Sequence, residues 1–269
     1  MATKVELYDN AYGNYEAEVY RRIRTFTYGQ DLGQTSWVSN EESREIPRLL
    51  GLKSNAHVLE IGSGSGRYAL TIAESIGCEM LGVDVNEFAV ENANRLATKA
   101  GLSDRVRFQS CDVSKSLPFE SASFDAAFSN DVICHIPDRL ALLRELHRVL
   151  KPGGKLLFSD ALVIGGTISH QEIAARSSIG YYLFSPAGEN ERLLAEAGFS
   201  VRDAKDTTLG AVEISERWRQ GRENSKAELI ALEGETNFEG LQQFLRCVHT
   251  LTSERRLLRY LYLAQKSQQ

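Results

Sequence analysis

The chain has 269 residues, of which 42% are hydrophobic and 25% are charged. This composition is that of an ordinary globular protein, and it excludes disordered and fibrous classes. The formal net charge is −5 and no basic segment stands out, so the sequence predicts no nucleic-acid partner.

The sequence also shows no targeting segment, no membrane span and no cysteine pattern of a disulfide or zinc site. The first ten residues, MATKVELYDN, contain no apolar run of the kind found in secretion signals. No stretch approaches the roughly 18 apolar residues of a membrane span. The four cysteines are far apart and form no CxxC pair, which indicates reduced thiols rather than disulfides or a zinc site. These features predict a soluble cytoplasmic protein without a membrane partner.

The middle of the chain alternates short apolar runs with longer amphipathic ones, the pattern of β–α units in a parallel sheet. Strands are predicted over residues 57–61, 80–84, 106–111, 124–129 and 155–164. Helices are predicted between them over residues 67–76, 87–100 and 137–150. Beyond an irregular segment, 165–187, the pattern predicts a helix over 189–198, a strand over 200–208, helices within 211–250 and a last strand over 257–264.

This order predicts an α/β fold with a doubly wound, mostly parallel sheet. We expect its core to comprise residues 51–208 plus 257–269, with helical regions at 1–50 and 209–256. Ligands of open α/β sheets bind beyond the carboxyl ends of the strands. Residues 1–37 and 211–250 are therefore predicted to cover that crevice and to close on a ligand, the alternative being that they only extend the core.

A glycine-rich turn, VLEIGSGSGRY, occupies residues 58–68 between the first strand and the first helix of the core. Such a turn lets a ligand approach the backbone, and the helix N-terminus offers free amides. The dinucleotide fingerprint GxGxxG would need a glycine at position 67, where Arg67 stands. No Gly-Lys-Ser/Thr follows, so a P-loop is excluded as well.

With this turn the chain resembles the class I S-adenosylmethionine-dependent methyltransferases, over about residues 55–205 and 257–265. Glu60 through Gly66 match the family's first motif. The resemblance therefore implies that the cofactor is contacted by Glu60, Gly62, Ser63, Gly64 and Gly66. The resemblance implies a seven-stranded, Rossmann-like sheet whose last strand is antiparallel and inserted beside its neighbours. It also implies S-adenosylmethionine as the cofactor.

Later motifs follow in the family's order. Asp84, with Val85, matches the acidic residue that binds the ribose hydroxyls, since one carboxylate can accept two hydrogen bonds from a diol. Asp112 and Val113 match the residues that contact the adenine, and Asn130 at the end of the fourth strand is a further candidate contact. A lone aspartate at a strand end is ordinarily unremarkable, and it is the ordered series that favours the family. Three further segments complete the pattern: Leu117-Pro118-Phe119, Ser123-Phe124-Asp125 and Leu150 through Gly154.

Two further sequence features narrow the class of methyl acceptor that the resemblance implies. The Asn-Pro-Pro-Tyr motif of base and glutamine methyltransferases is absent after the fourth strand. Metal-dependent catechol methyltransferases have an Asp-Asn pair after the fifth strand, whereas Asp160 is followed by Ala161. The sequence therefore predicts a small-molecule acceptor and no metal.

The segment Cys134 through Asp138 is similar to one in methyltransferases that act on sugars, quinone precursors, prenyl diphosphates or amino alcohols. In several of these a histidine acts as a base and an acidic residue that ends the fifth strand is its partner. His135 and Asp160 match these two positions and are predicted to be catalytic. The alternative is that His135 caps a helix or only positions the substrate.

The N-terminal region carries Tyr8, Tyr12 and Tyr15 at helical spacing, which packing alone would also explain. The following GQTSW portion is similar to a segment that folds over the cofactor in related enzymes. Gln34 and Ser36 are accordingly further predicted contacts.

The sequence thus predicts an enzyme, monomeric or homodimeric, that transfers the methyl group of S-adenosylmethionine to O, N or C of a small metabolite. An S-adenosylmethionine-binding sensor or partner protein without catalysis is the alternative from another class. A nicotinamide oxidoreductase is disfavoured by Arg67.

Overall fold

The structure, a computed structural model, describes residues 5–268. Its strands are β1 (His57–Ile61), β2 (Glu79–Asp84), β3 (Val106–Ser110), β4 (Phe124–Ser129), β5 (Leu150–Ile164), β6 (Ser185–Pro186), β7 (Phe199–Asp206) and β8 (Leu257–Lys266). They form one sheet in the order β3-β2-β1-β4-β5-β8-β7, with β6 beside β5. Only β8 is antiparallel, to both β5 and β7. The predicted fold class is confirmed.

The sheet differs from the prediction in two places. The two-residue β6 is an eighth strand, too short to leave a periodic pattern in the sequence. Strand β5 begins at Leu150, because Leu150 pairs with Phe124 and Lys155 pairs with Ala126, so the Lys-Pro-Gly-Gly segment bulges within the strand. That segment was predicted to separate helix from strand, whereas the helix ends directly at the strand.

Eleven α-helices lie within the described residues. They are α1 (Leu7–Gly13), α2 (Glu18–Tyr28), α3 (Asn40–Leu50), α4 (Arg67–Ile76), α5 (Glu87–Lys99), α6 (Arg139–Val149), α7 (His170–Arg176), α8 (Glu189–Glu196), α9 (Thr208–Glu223), α10 (Lys226–Glu233) and α11 (Glu235–Ser253). Several begin at side-chain caps: Asn86 accepts a hydrogen bond from the Ala89 amide, and Asp138 accepts one from the Ala141 amide. Such caps satisfy backbone donors that the first turn leaves free.

Apolar side chains pack on both faces of the sheet. Helices α3, α4 and α5 cover one face, and α6 and α8 cover the other. Along β5, Leu157 faces the first layer, whereas Leu156 and Phe158 face the second. A parallel strand covered on both faces requires a continuous apolar run, which is the pattern of β5 in the sequence.

A third apolar cluster joins α2, α9 and α11 at the carboxyl end of the sheet. Its centre is Trp37, whose ring centroid lies 5.8 Å from that of Trp218 and 6.2 Å from that of Phe244. The amphipathic helices of residues 211–250 therefore bury their apolar sides against the N-terminal region. None of the helices in the described part of the chain has the length and apolar character needed to cross a bilayer.

Candidate active site

A cavity of about 520 Å³ opens at the carboxyl ends of β1, β2 and β4. This volume falls in the range of about 300–1,000 Å³ that is typical of small-molecule sites. Its wall includes eleven of the predicted site residues: Gln34, Ser36, Gly62, Ser63, Gly64, Asp84, Val85, Asp112, Val113, Asn130 and His135. The fold thus brings together positions spread over a hundred residues of sequence.

The glycine-rich turn forms one side of this cavity. The Gly62 amide donates to the Val83 carbonyl at 2.8 Å, which ties the turn to β2. Gly62 has φ of +70°, and a Cβ atom there would lie 2.2 Å from the Val132 side chain. Both the conformation and the space therefore require glycine at this position.

Asp84 ends β2 beside the turn. Its Oδ2 accepts a hydrogen bond from the Gly64 amide at 2.8 Å, and its Oδ1 accepts one from the Asn86 amide at 2.9 Å. Burial raises the pKa of this carboxyl above its ordinary value, against the hydrogen bonds of the Asn86, Gly64 and Val85 amides, which lower it. Each oxygen has a second lone pair, so the carboxylate can still accept hydrogen bonds from a ligand diol.

Asp112 lies in the wall beyond β3 with Val113. Its Oδ1 accepts from the Ser114 hydroxyl at 2.6 Å, and its Oδ2 lies 3.1 Å from the Lys115 ammonium. These hydrogen bonds, that of Ser114 first, lower the pKa of the Asp112 carboxyl. The side chain is therefore held as an anion at the cavity by its own loop.

Two residues of the predicted first motif do not line the cavity. Glu60 is buried beneath the turn, where burial raises the pKa of its carboxyl well above the ordinary value. Gly66 begins α4, and a Cβ atom there would lie 2.5 Å from the Phe108 ring. Close packing of helix against strand therefore explains this glycine. Neither Glu60 nor Gly66 is part of the cavity wall, and the predicted cofactor contacts of these two residues stay a prediction.

The N-terminal region covers the cavity. The Asn86 side chain donates to Asp9 at 2.7 Å and the Asn92 side chain to the Tyr12 carbonyl at 2.7 Å, so that α1 is tied across α5. Gln34 lines the cavity, although its Oε1 accepts from the Leu32 amide within its own loop. Residues 211–250, predicted to share this role, are absent from the wall and instead support the cover from outside.

His135 closes a short 3-10 turn (Ile133–His135) after β4. Its Nδ1 lies 2.9 Å from the Tyr181 carbonyl, which can only accept, so Nδ1 carries the proton. The lone pair of Nε2 then accepts from the Tyr8 hydroxyl at 3.1 Å. Burial lowers the pKa of the imidazole to about 4, and the ring is held neutral.

Asp160 is not the partner of His135, and the predicted contact is wrong. Its carboxylate is fully buried and binds Arg139 Nη1 at 2.7 Å and Asn190 Nδ2 at 2.9 Å. Successive strand residues face opposite sides of a sheet. Ser159 faces the cover, where it donates to Asp131, so Asp160 faces α6 and α8 instead.

Asp131 is a site residue that the sequence analysis did not single out. It is buried, with φ of +59°, and it lines the cavity. Its Oδ2 accepts from the Trp37 amide at 2.8 Å, and its Oδ1 accepts from Arg259 Nε at 2.9 Å. This carboxylate fastens the covering segment to β4 and β8. Its place at the end of β4, directly after Asn130, was the available signal.

Comparisons with known proteins agree with this geometry. Residues 59–158 match the family described as "Methyltransferase domain". The 27-O-demethylrifamycin SV methyltransferase of Amycolatopsis mediterranei is 30% identical over 233 residues, which are 81% of this chain and 85% of that protein. The chain belongs to the class I S-adenosylmethionine-dependent methyltransferases.

Two further relatives are longer than this methyltransferase. Phosphoethanolamine N-methyltransferase 1 of Triticum aestivum is 32% identical over 203 residues, 74% of this chain but only 39% of the wheat protein. A solved structure of the Haemonchus contortus phosphoethanolamine N-methyltransferase 2, with phosphomonomethylethanolamine and S-adenosylhomocysteine, has a TM-score of 0.80 at 25% identity. That likeness covers 97% of this chain and 60% of the nematode protein.

The wall of this methyltransferase fits the family's cofactor, S-adenosylmethionine. Two buried polar atoms in the wall have no protein partner: Ser63 Oγ and Asn130 Nδ2. Buried polar groups are nearly always hydrogen-bonded in folded proteins, so such atoms indicate a polar ligand. The amino and carboxylate groups of a bound methionine portion would supply partners of this kind.

Proposed function

We propose that this methyltransferase methylates a hydroxyl group of a small metabolite, without a metal, and that His135 is the base. The observation that carries the proposal is the neutral imidazole with its Nε2 lone pair directed at the Tyr8 hydroxyl, in the wall of the cavity. A hydroxyl is a poor nucleophile until its proton is removed, so a neutral base at this place serves such an acceptor.

Cofactor binding is assigned to residues around the glycine-rich turn. The proposed contacts are the Gly62, Ser63 and Gly64 backbone, the Asp84 carboxylate with Val85, Asp112 with Val113, and the polar side chains of Gln34, Ser36 and Asn130. Bound S-adenosylmethionine supplies a methyl group already activated by its sulfonium. The chain then needs to align the acceptor and exclude water. Helix α1 and the segment around Trp37 form the cover that does so.

Proton removal is assigned to the pair of Tyr8 and His135. The Tyr181 carbonyl fixes the ring so that Nε2 faces the cavity. Burial raises the pKa of the Tyr8 phenol well above its ordinary value, so this hydroxyl stays protonated and can donate to the imidazole. Either the acceptor displaces Tyr8 from Nε2, or its proton passes through the Tyr8 hydroxyl to His135.

Metal independence is proposed from the side chains themselves. No group of three His, Cys, Asp or Glu side chains in residues 5–268 is placed to hold a metal ion. Asp131, after β4, and Asp160, within β5, are each bound to a buried arginine. Their charge is therefore already balanced within the protein.

N-methylation of a small amine is the second candidate, because the wheat and nematode relatives are described as N-methyltransferases. A free amine carries its own lone pair and needs no base to attack. The Amycolatopsis mediterranei relative, of which this chain covers 85%, is named for an O-demethylated substrate. This coverage and the His135 geometry favour the hydroxyl.

Tritium transfer from labelled S-adenosylmethionine to a metabolite library tests the proposal. The library should contain matched pairs, each a hydroxylated compound and its O-capped analogue, together with small amines. We expect transfer to hydroxyl compounds only. His135→Ala should lower turnover by about 10²–10⁴-fold with cofactor affinity nearly unchanged.

His57→Ala is the matched control, since His57 lies at the start of β1, at the opposite edge of the sheet. It should leave turnover as in the parent. Unchanged turnover in His135→Ala would show that His135 is not the base. Transfer confined to amines would replace the hydroxyl proposal by the second candidate.

A further inference from the structure

Four arginine side chains in the described part of the chain are fully buried, and one differs from the rest. Arg139 pairs with Asp160 at 2.7 Å, Arg259 pairs with Asp131 and Glu42, and Arg222 pairs with Glu233. Arg176, at the end of α7, is 1% exposed and has no carboxylate within ion-pair distance among residues 5–268. Its Nη1 has no hydrogen-bond partner.

Aromatic rings surround this guanidinium. Its Cζ lies 4.3 Å from the centroid of Tyr182, 5.1 Å from that of Phe244 and 5.9 Å from that of Trp37. The rings stabilise a cation through their π-faces, and the Tyr182 hydroxyl also accepts a hydrogen bond from the guanidinium. These neutral partners leave Nη1 without an acceptor and the positive charge without a counter-ion among residues 5–268. A buried charge in this state is costly unless a ligand of opposite charge completes it.

Arg176 lies next to the acceptor end of the active site. It lines a small cavity of about 10 Å³ that shares Tyr8, Thr35, Asp131 and Ile179 with the large one. Tyr182, the ring closest to the guanidinium, also packs on His135 with 4.3 Å between ring centroids. A group bound at Arg176 would thus belong to a substrate whose reacting end lies beside His135, the proposed base.

We propose that Arg176 binds an oxyanion, a carboxylate or a phosphate, carried by the methyl acceptor. The inference rests on the proposed function and deepens it by naming the charge of the substrate. The planar guanidinium fork matches two oxygens of such a group. Asp131 lines the same small cavity, but its carboxylate is already bound to Arg259, Ser159 and the Trp37 amide.

The space beside Arg176 is too small for an oxyanion unless neighbouring side chains move. About 10 Å³ is open, which is room for about one water molecule. The oxyanion therefore reaches the guanidinium only when side chains that line both cavities, such as Tyr8 and Ile179, shift. Tyr8 belongs to the short helix α1 of the cover, so binding of an anionic acceptor involves the cover.

The first test measures anion binding without turnover. The protein, saturated with S-adenosylhomocysteine, is titrated with inorganic phosphate and separately with acetate at constant ionic strength, and Tm is recorded. We expect one or both anions to raise the Tm of the parent. Arg176→Met should weaken the apparent affinity roughly tenfold to a hundredfold, the cost of one charge-assisted hydrogen bond. Acetate and phosphate distinguish the two oxyanions.

Arg222→Met is the matched control, because Arg222 is equally buried, lies 5.4 Å from the Phe238 ring and is already paired with Glu233. It should lower the starting Tm and keep the response to the anion. Arg176→Lys keeps the charge and loses the fork, so it should bind the anion more weakly than the parent. Equal anion responses in the parent and the Arg176 variants, or no response in the parent, overturn the proposal.

The second test needs no variant. Carboxylic acids in the acceptor library are compared with their methyl esters, and phosphate monoesters with the free alcohols, by tritium transfer. We expect kcat/KM to be at least roughly tenfold higher for the anionic member of a productive pair. Equal rates for both members overturn the anion proposal and leave methylation intact. Transfer to no hydroxyl compound refutes the proposed function, while the Tm titration still decides whether Arg176 binds an oxyanion.

Discussion

His135 should make the stability of this methyltransferase depend on pH in a way that replacement by asparagine removes. The imidazole has a pKa lowered from 6.5 to about 4 in the folded chain. Between these two values the unfolded chain binds more protons than the folded one. Stability is therefore unaffected above pH 6.5, falls as the pH drops towards 4, and stays at its lowered value below that.

The size of the effect follows from the shift. A difference of about 2.5 pKa units corresponds to about 3 kcal/mol when the transition is complete, at about 1.4 kcal/mol per unit. At pH 5 the linkage relation gives about 2 kcal/mol. His135→Asn keeps a donor for the Tyr181 carbonyl and cannot be protonated.

Urea unfolding of the parent and of His135→Asn at pH 8 and pH 5 measures this quantity. The difference between the two proteins isolates His135, because Glu60, Asp84 and His147 titrate in both. We expect the parent to lose about 2 kcal/mol more than the variant on acidification. Equal losses would show that the ring is not held neutral by burial. The acid limb of kcat should likewise lie below pH 5 rather than near 6.5 if His135 is the base.

Three further substitutions test the site and its surroundings. Asp84→Ala should weaken S-adenosylmethionine binding roughly tenfold to a hundredfold by calorimetry, and unchanged affinity would contradict its role. Gly66→Ala should lower the free energy of unfolding by about 1–3 kcal/mol more than Gly101→Ala, because the two share a left-handed φ but only Gly66 faces an aromatic ring at 2.5 Å. Asp160→Asn should cost about 3–5 kcal/mol of stability by leaving Arg139 unpaired, and a variant as stable as the parent would contradict the buried ion pair.

Local pattern in the sequence was enough for the sheet and for the residues that the glycine-rich side of the cavity brings together. Short apolar runs alternating with amphipathic ones predicted the order of the core strands, since period and length reflect burial directly. Gly62, Asp84 and Asp112 each follow a strand within a few residues, and parallel strands all end at one edge. Their meeting therefore required no knowledge of tertiary packing.

Tertiary structure alone decided the contacts around His135, Asp131 and Arg176. His135 meets Tyr8 across 127 positions of sequence, and Arg259 meets Asp131 across 128. Asp160 turned to the other face of the sheet because one residue of register decides which side a strand residue occupies. The lack of a carboxylate beside Arg176 among residues 5–268 was equally hidden, because the surroundings of a buried charge depend on all the elements that pack around it. Sequence pattern records the period of one element, whereas these contacts depend on how α1, α7 and β8 pack around the end of the sheet.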